Sequence, residues 1–384
     1  MTPPTEPAAE PATEPPAEPA AEPAAVGSIP ELLSLARRTM RPEVFDYIEL
    51  GAGAESTAQR NRQAFGRWEF HPRMLSGLAL PDTSTVLGAI PLSLPVITAP
   101  FGNDGWIHPD GHLAVARAVH RVGTVNVAPH GSSHSLEDIA RAAGGSQGMF
   151  QLGLNRSEDE TLAMADRAAA AGYRYLLFTH LPTRAWRERI YEHRLDLTPY
   201  SRANDPVDSL TMDAAHAEAA RRWDWDRFAA LAARCPLPWF LKGIQQVEDA
   251  RRALDCGAAG LYVSNYGGRN LDCVPASIDQ LGAIADEAAG RVPIVFDSGI
   301  RRGTDVVKAL ALGATAVAVG RLTAFAVGAG GEPAVARMLE LLRAEIVAVL
   351  AELGVARVQE LGSRHLTRTD GFTFAPLEHR NREI

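Results

Sequence analysis

The residues that could hold an anion lie mostly in the second half of the chain. Phe296-Asp297-Ser298-Gly299-Ile300-Arg301-Arg302-Gly303-Thr304-Asp305 and Gly320-Arg321 combine small residues, which let backbone amides approach a phosphate, with arginines that neutralise it. Ser298, Gly299, Arg301, Gly320 and Arg321 are therefore candidate phosphate-site residues, with Asp297 beside them as a further candidate cofactor-binding residue. Lys242 follows an apolar run in Trp239-Phe240-Leu241-Lys242-Gly243, and a fixed cation in such a place can stabilise negative charge that develops during a reaction. Arg269, in the segment Ser264-Asn265-Tyr266-Gly267-Gly268-Arg269-Asn270-Leu271-Asp272, and Arg187 bring guanidinium groups suited to a planar two-point contact with a carboxylate. Histidine as a residue type suits proton transfer at neutral pH, which makes His130 and His180 candidate proton acceptors.

These groups need a scaffold that brings distant segments together. Eight β-rich runs recur, approximately at 95–99, 124–128, 148–152, 175–179, 239–242, 260–264, 293–297 and 316–320. Helical periodicity falls between most of them, at 111–121, 157–171, 247–256, 277–288 and 304–312. Eight strand–helix units predict an α/β chain closed as a (β/α)8 TIM barrel, whose chemistry sits at the C-terminal ends of the strands and whose loops after strands seven and eight commonly hold phosphate. Lys242 then ends the fifth strand and points into the site, while His130 and His180 directly follow the second and fourth strands. A helical pair is expected within 29–78, and a proline- and charge-rich insert from about 185 to 223 reads either as a lid or as a tolerated surface insertion.

Residues 264–272 closely resemble the Ser-Asn-His-Gly-Gly-Arg-Gln-Leu-Asp signature of the FMN-dependent α-hydroxy acid oxidases and dehydrogenases, the glycolate and lactate oxidase family. The run Ala309-Leu310-Ala311-Leu312-Gly313-Ala314 also resembles that family, and the likeness extends from about Ile29 to Leu366. The resemblance implies FMN as cofactor. Lys242 would lie beside the pyrimidine edge of the flavin, Ala99, Pro100, Gln151, Thr179 and Ser264 would line it, and the two glycine–arginine loops would hold its phosphate. Tyr47, Arg187 and Arg269 would hold a substrate carboxylate. A homo-oligomer, such as a tetramer, is also implied.

Several positions depart from the family pattern. Tyr266 stands where the family has its catalytic histidine, and Leu181 where it has the aspartate that orients that histidine. With a reference pKa of about 10, against about 6.5 for histidine, an unassisted tyrosine is a poor base at neutral pH. Gly153 replaces a substrate-binding tyrosine, Gly131 a bulky aromatic, Pro129 a serine, and Ser298 a glycine. The flavin half of the site is thus retained, while the acid–base half is expected to be remodelled and the pocket widened for a bulkier or carrier-bound substrate. Tyr266, His130 and His180 are the candidate catalytic residues, the histidines as a relocated base or as ordinary polar residues of the rim.

The 384 residues are 46% hydrophobic, enough for a sizeable core, and the formal net charge is -8. Glu6, Glu10, Glu14, Glu18 and Glu22 repeat every fourth residue in a proline- and alanine-rich segment. With almost nothing large and apolar to bury, residues 1–26 are expected to be a disordered tail ahead of an FMN-binding barrel domain at 27–384. No basic stripe points to nucleic acid, and no apolar run suits a membrane span. The absence of a signal-peptide pattern leads to a cytoplasmic expectation. Cys235, Cys256 and Cys273 lack metal-ligand spacing and read as reduced packing thiols, and His108 and His112 as parts of a structural turn.

Three functions follow. One is FMN-dependent two-electron oxidation of a carboxylate-bearing hydroxy- or amino-acid-derived small molecule in specialised biosynthesis. The others are a conventional 2-hydroxy acid oxidase with a relocated histidine base, and a flavin-binding scaffold without turnover.

Overall fold

A computed structural model describes residues 22–369 apart from 146–147, 155, 183–185, 193–202 and 205–221. Its centre is an eight-stranded parallel sheet of β1 (Val96–Thr98), β2 (Val127–Pro129), β3 (Met149–Gly153), β4 (Tyr175–Thr179), β5 (Trp239–Ile244), β6 (Gly260–Val263), β7 (Ile294–Phe296) and β8 (Ala316–Val319). Each strand pairs in parallel with its sequence neighbours from β2 round to β8, and β8 pairs with β1. A parallel bridge between Thr98 and Asn126 joins β1 to the start of β2 and completes the ring. The expected barrel is present, with every strand within about three residues of its sequence position.

Strand alternation explains where the site residues go. Ile97, Val127, Met149, Leu177, Phe240, Tyr262 and Val295 form one buried cluster, whereas Val96, Ala128, Phe150, Leu176, Leu261 and Ile294 join the cluster that includes the surrounding helices. The first set fills the lumen. Two residues further along each strand, on the same parity, stand Ala99, Pro129, Gln151, Thr179, Lys242, Ser264 and Asp297. The period of two therefore lifts the candidate residues onto the rim directly above the packed interior.

The segment before β1 is more elaborate than a helical pair. It contains α1 (Ile29–Thr39), α2 (Pro42–Glu49) and α3 (Ser56–Gln63), then a strand, Trp68–Phe70, that pairs antiparallel with Leu366–Arg368. A hairpin of Thr85–Leu87 and Ile90–Leu92 contributes Leu87, Ile90 and Leu92 to the lumen cluster and so closes the barrel from below. These three-residue strands are too short for a periodic signal. The expected disordered tail needs correction at its end. Residues 1–21 lie outside the described residues, but Pro23–Ala25 form a short turn, Val26 is fully buried, and Arg337 donates to the Val26 carbonyl at 2.6 Å. Most of the expected insert also lies outside the described residues.

Candidate active site

A cavity of about 280 Å³ opens at the C-terminal ends of the strands. Its wall includes Tyr47, Ala99, Pro100, Gln151, Thr179, Arg187, Lys242, Tyr266, Arg269, Asp297, Ser298, Gly299, Arg301, Gly320 and Arg321. Segments separated by more than two hundred residues thus meet as the sequence led us to expect. Phe101 and Ile107, from the chain after β1, are also on the wall and were not foreseen.

Asp297 is the hub of the cavity floor. Its Oδ2 accepts from the Lys242 ammonium and, at 2.9 Å, from the Tyr262 hydroxyl. Its Oδ1 accepts from Ser264 Oγ at 2.5 Å and from Ser298 Oγ at 2.8 Å. Lys242 and Asp297 are only 6% and 7% exposed, so each charge depends on the other for compensation. Burial pushes the Lys242 ammonium towards release of its proton, and the facing carboxylate opposes that shift. Ser264 lies beneath this hub and is not part of the cavity wall. Ser298 occupies the left-handed region at φ 90°, which is costly for a residue with a side chain. Its hydroxyl offsets that cost by accepting from Gly267 N at 3.0 Å and Asn265 N at 3.3 Å, tying the loop after β6 to the loop after β7.

The loop after β6 is held against α3. Asn265 and Asn61 exchange two side-chain amide bonds of 2.8 Å. Asp272 accepts from Ser56 N at 3.2 Å, Ser56 Oγ at 2.9 Å and Thr57 N at 2.7 Å, so it satisfies the free amides at the start of α3. Gly268 has φ 73°, and a Cβ there would lie 2.6 Å from the Ala58 nitrogen. The glycine of the signature is therefore required by backbone contact.

Tyr266 is in the left-handed region at φ 57°. Its hydroxyl donates to the Lys242 carbonyl at 2.9 Å, with a longer approach of 3.5 Å to the His180 carbonyl. Burial, followed by the charge of Asp297, pushes its pKa further above the ordinary tyrosine value. The protonated hydroxyl is a donor to the backbone. Among the expected catalytic residues, only Tyr266 reaches the 280 Å³ cavity. His180 instead lines a second cavity of about 260 Å³ with Trp223, Trp225 and Phe228, on the other side of Tyr266. His130 lines neither of these cavities. Leu181 lies on the wall with Arg187, whereas Gly131 and Gly153 do not line it.

Positive charge concentrates in two places. Arg269 Nη1 donates to the Tyr47, Ile48 and Leu50 carbonyls at 2.9–3.0 Å, at the C-terminal end of α2. This fixes the guanidinium plane against the Tyr47 ring, 5.1 Å from its centroid. Arg187 donates to the Arg269 carbonyl at 3.0 Å. Burial and then the Arg187 charge pull Arg269 down to about 10. A second cluster surrounds a neighbouring cavity of about 430 Å³ that shares Gly299, Arg301 and Arg321 with the first. Burial and then Arg62 pull Arg301 down to about 10, and burial with Arg269, Arg301 and Arg62 takes Arg321 well below its usual value. Arg62 was missed because it lies within a polar helix, Ser-Thr-Ala-Gln-Arg-Asn-Arg-Gln, where surface exposure is the ordinary reading. Like charges brought together in this way are relieved by an anion. One cluster suits a carboxylate and the other a phosphate. The cavities and the repelling arginines therefore fit a phosphorylated cofactor beside an acidic substrate.

Comparison with known proteins gives the same picture. A family model described as FMN-dependent dehydrogenase matches residues 36–368. Glycolate oxidase 3 of Arabidopsis thaliana is 34% identical over 360 residues, covering 90% of this chain and 96% of that protein. The structure of a soluble mutant of the membrane-associated (S)-mandelate dehydrogenase of Pseudomonas putida superposes with a TM-score of 0.82 at 32% identity, covering 89% of this chain and 99% of the other. A mandelate oxidase structure gives 0.81 at 37% identity, with 89% and 98% coverage.

Proposed function

We propose, from the premise that this chain belongs to the FMN-dependent dehydrogenase family and is an FMN-dependent oxidoreductase, that it oxidises a carboxylate-bearing, amino-acid-derived or hydroxy-acid-derived small molecule through a remodelled acid–base site. Bound FMN supplies the two-electron acceptor. Arg62, Arg301 and Arg321, with the backbone at Gly299, hold its phosphate. Ala99, Pro100, Gln151 and Thr179 would line the flavin, and Lys242 would supply a fixed cation to stabilise its reduced form. Arg187, Arg269 and Tyr47 hold the substrate carboxylate. Tyr47 Oη accepts from Asn103 Nδ2 at 3.1 Å, which fixes the phenol at the cavity wall.

The observation that carries this reading is the bond from the Tyr266 hydroxyl to the Lys242 carbonyl. A group committed to donating there is not poised to take a proton from an alcohol. An amine needs no such base during hydride loss once its nitrogen is neutral. Arg187, Arg269 and Lys242 around the pocket lower the pKa of a bound ammonium and favour that neutral form. We therefore favour a C–N bond as the oxidised bond, in a specialised biosynthetic reaction, by a homo-oligomeric enzyme in the cytoplasm.

A second reading is favoured by the names of the relatives, which are oxidases and dehydrogenases of glycolate and mandelate. It is a conventional 2-hydroxy acid oxidation with His130 or His180 as the base, and it requires one of these histidines to reach the cavity. Anaerobic mixing of the FMN-loaded enzyme with panels of 2-amino and 2-hydroxy acids separates the two. The first reading expects flavin bleaching by amino donors, at a rate that rises with pH through the pKa of the bound amine. Fast bleaching by glycolate, lactate or mandelate, with a titration near the ordinary histidine value of about 6.5, would establish the second reading and overturn the first.

A further inference from the structure

Tyr262 is completely buried in the barrel lumen, yet carries a hydroxyl that an apolar core does not need. It is paired in register with Lys242 across β5 and β6, so both side chains leave the sheet on the same side. The Lys242 ammonium lies 3.9 Å from the centroid of the Tyr262 ring, a cation–π geometry that strengthens in a desolvated site. The Tyr262 hydroxyl donates at 2.9 Å to Asp297 Oδ2, the same oxygen that accepts from Lys242. One side chain thus contacts both members of the buried ion pair, the cation through its ring and the carboxylate through its hydroxyl.

We propose that Tyr262 is a positioning residue that sets how much of the Lys242 charge is felt by the flavin, and hence the reduction potential of the enzyme. This rests on the placement of Lys242 beside FMN. Lys242 and Asp297 carry opposite charges in contact, so much of the field of each is cancelled by the other. The hydroxyl hydrogen of Tyr262 compensates part of the carboxylate charge and leaves more of the ammonium field directed at the cofactor. The ring beneath the ammonium keeps it from moving away from the rim. A leucine or isoleucine would fill the lumen without supplying either interaction.

The test is the midpoint potential of bound FMN, measured by equilibration with a reference dye. Alongside it come the FMN dissociation constant and the melting temperature of the apoprotein, for the full chain and its Tyr262→Phe, Lys242→Met and doubly substituted forms. Tyr262→Phe keeps the ring and removes only the hydroxyl. Its potential should fall by a tenfold change in the reduction equilibrium, about 30 mV for a two-electron couple, with FMN affinity changed less than about threefold on the reasoning that phosphate contacts are untouched. In the Lys242→Met background there is no ammonium field left for the hydroxyl to tune, and the effect of Tyr262→Phe should shrink to less than about a third of its value, the non-additivity of contacting groups. An unchanged potential in Tyr262→Phe while Lys242→Met shifts it overturns the role of Tyr262 alone. An unchanged potential in Lys242→Met overturns the placement of Lys242 and the proposal with it. A change in melting temperature without a change in potential assigns Tyr262 to packing and overturns the proposal.

Discussion

On the proposed reading Tyr266 and Leu181 stand in the places of a base and its orienting acid, and a single reversal should have little effect. A histidine at 266 lacks the reach to the Lys242 carbonyl that Tyr266 has, and the wall at 181 offers an apolar side chain in place of a carboxylate. Tyr266→His should therefore raise hydroxy acid oxidation by less than about tenfold, while the combined Tyr266→His and Leu181→Asp change should exceed it by about a hundredfold, the lower range of a positioned general base. Single-turnover flavin reduction by lactate or mandelate reads both. The sequence already marked residue 266 as unusual, but it did not reveal the hydroxyl's partner. A backbone carbonyl twenty-four residues away has no signature in residue type. The same limitation hid Arg62, whose role depends on Arg301 and Arg321 being folded beside it.

At the scale of elements, the loop after β6 and helix α3 act as one unit through Asp272, the Asn61–Asn265 amide pair and Gly268. Burial pushes the Asp272 carboxyl up, but the backbone amides of Thr57 and Cys273 and the Ser56 and Thr57 hydroxyls outweigh it and hold the group well below the usual range. Because its folded pKa is depressed, the stabilisation is fully present above the unfolded value of about 3.9 and is lost as pH falls from there towards the folded pKa. Asp272→Ala should cost about 1–2 kcal/mol at pH 7, the range for loss of a helix cap. The gap between the two proteins should close on acidification below about pH 3.9. Urea unfolding across pH checks both. The strands and their rim residues were legible because alternation and β-rich runs are local properties. The hairpin below the barrel and the third N-terminal helix were not, since three-residue strands and a polar eight-residue helix acquire their places from what they pack against.

For the whole molecule, anion sites built from repelling arginines make folding and cofactor binding interdependent. FMN at about a hundred times its dissociation constant should stabilise the protein by about 2.7 kcal/mol, a rise of roughly 3 °C in melting temperature for a chain of this size. Arg301→Met should remove most of that rise while leaving the apoprotein at least as stable, because it relieves repulsion with Arg62 and Arg321. Differential scanning calorimetry with and without FMN measures the effect. The barrel and its phosphate loops could be read from the sequence, whereas the order of Pro23–Val26 could not, because it depends on docking against the C-terminal helix that begins at Arg321. The Tyr266 hydroxyl donates to the backbone, and the proposed function requires that it not accept the substrate proton. The most direct measurement is the rate constant for anaerobic flavin reduction by the best substrate in Tyr266→Phe and in the unaltered enzyme, from pH 6 to pH 10. We expect rates within about tenfold of each other and the same pH dependence. A loss of about a thousandfold, the scale of removing a general base, together with disappearance of a titrating limb in Tyr266→Phe, would show that Tyr266 takes the proton after all.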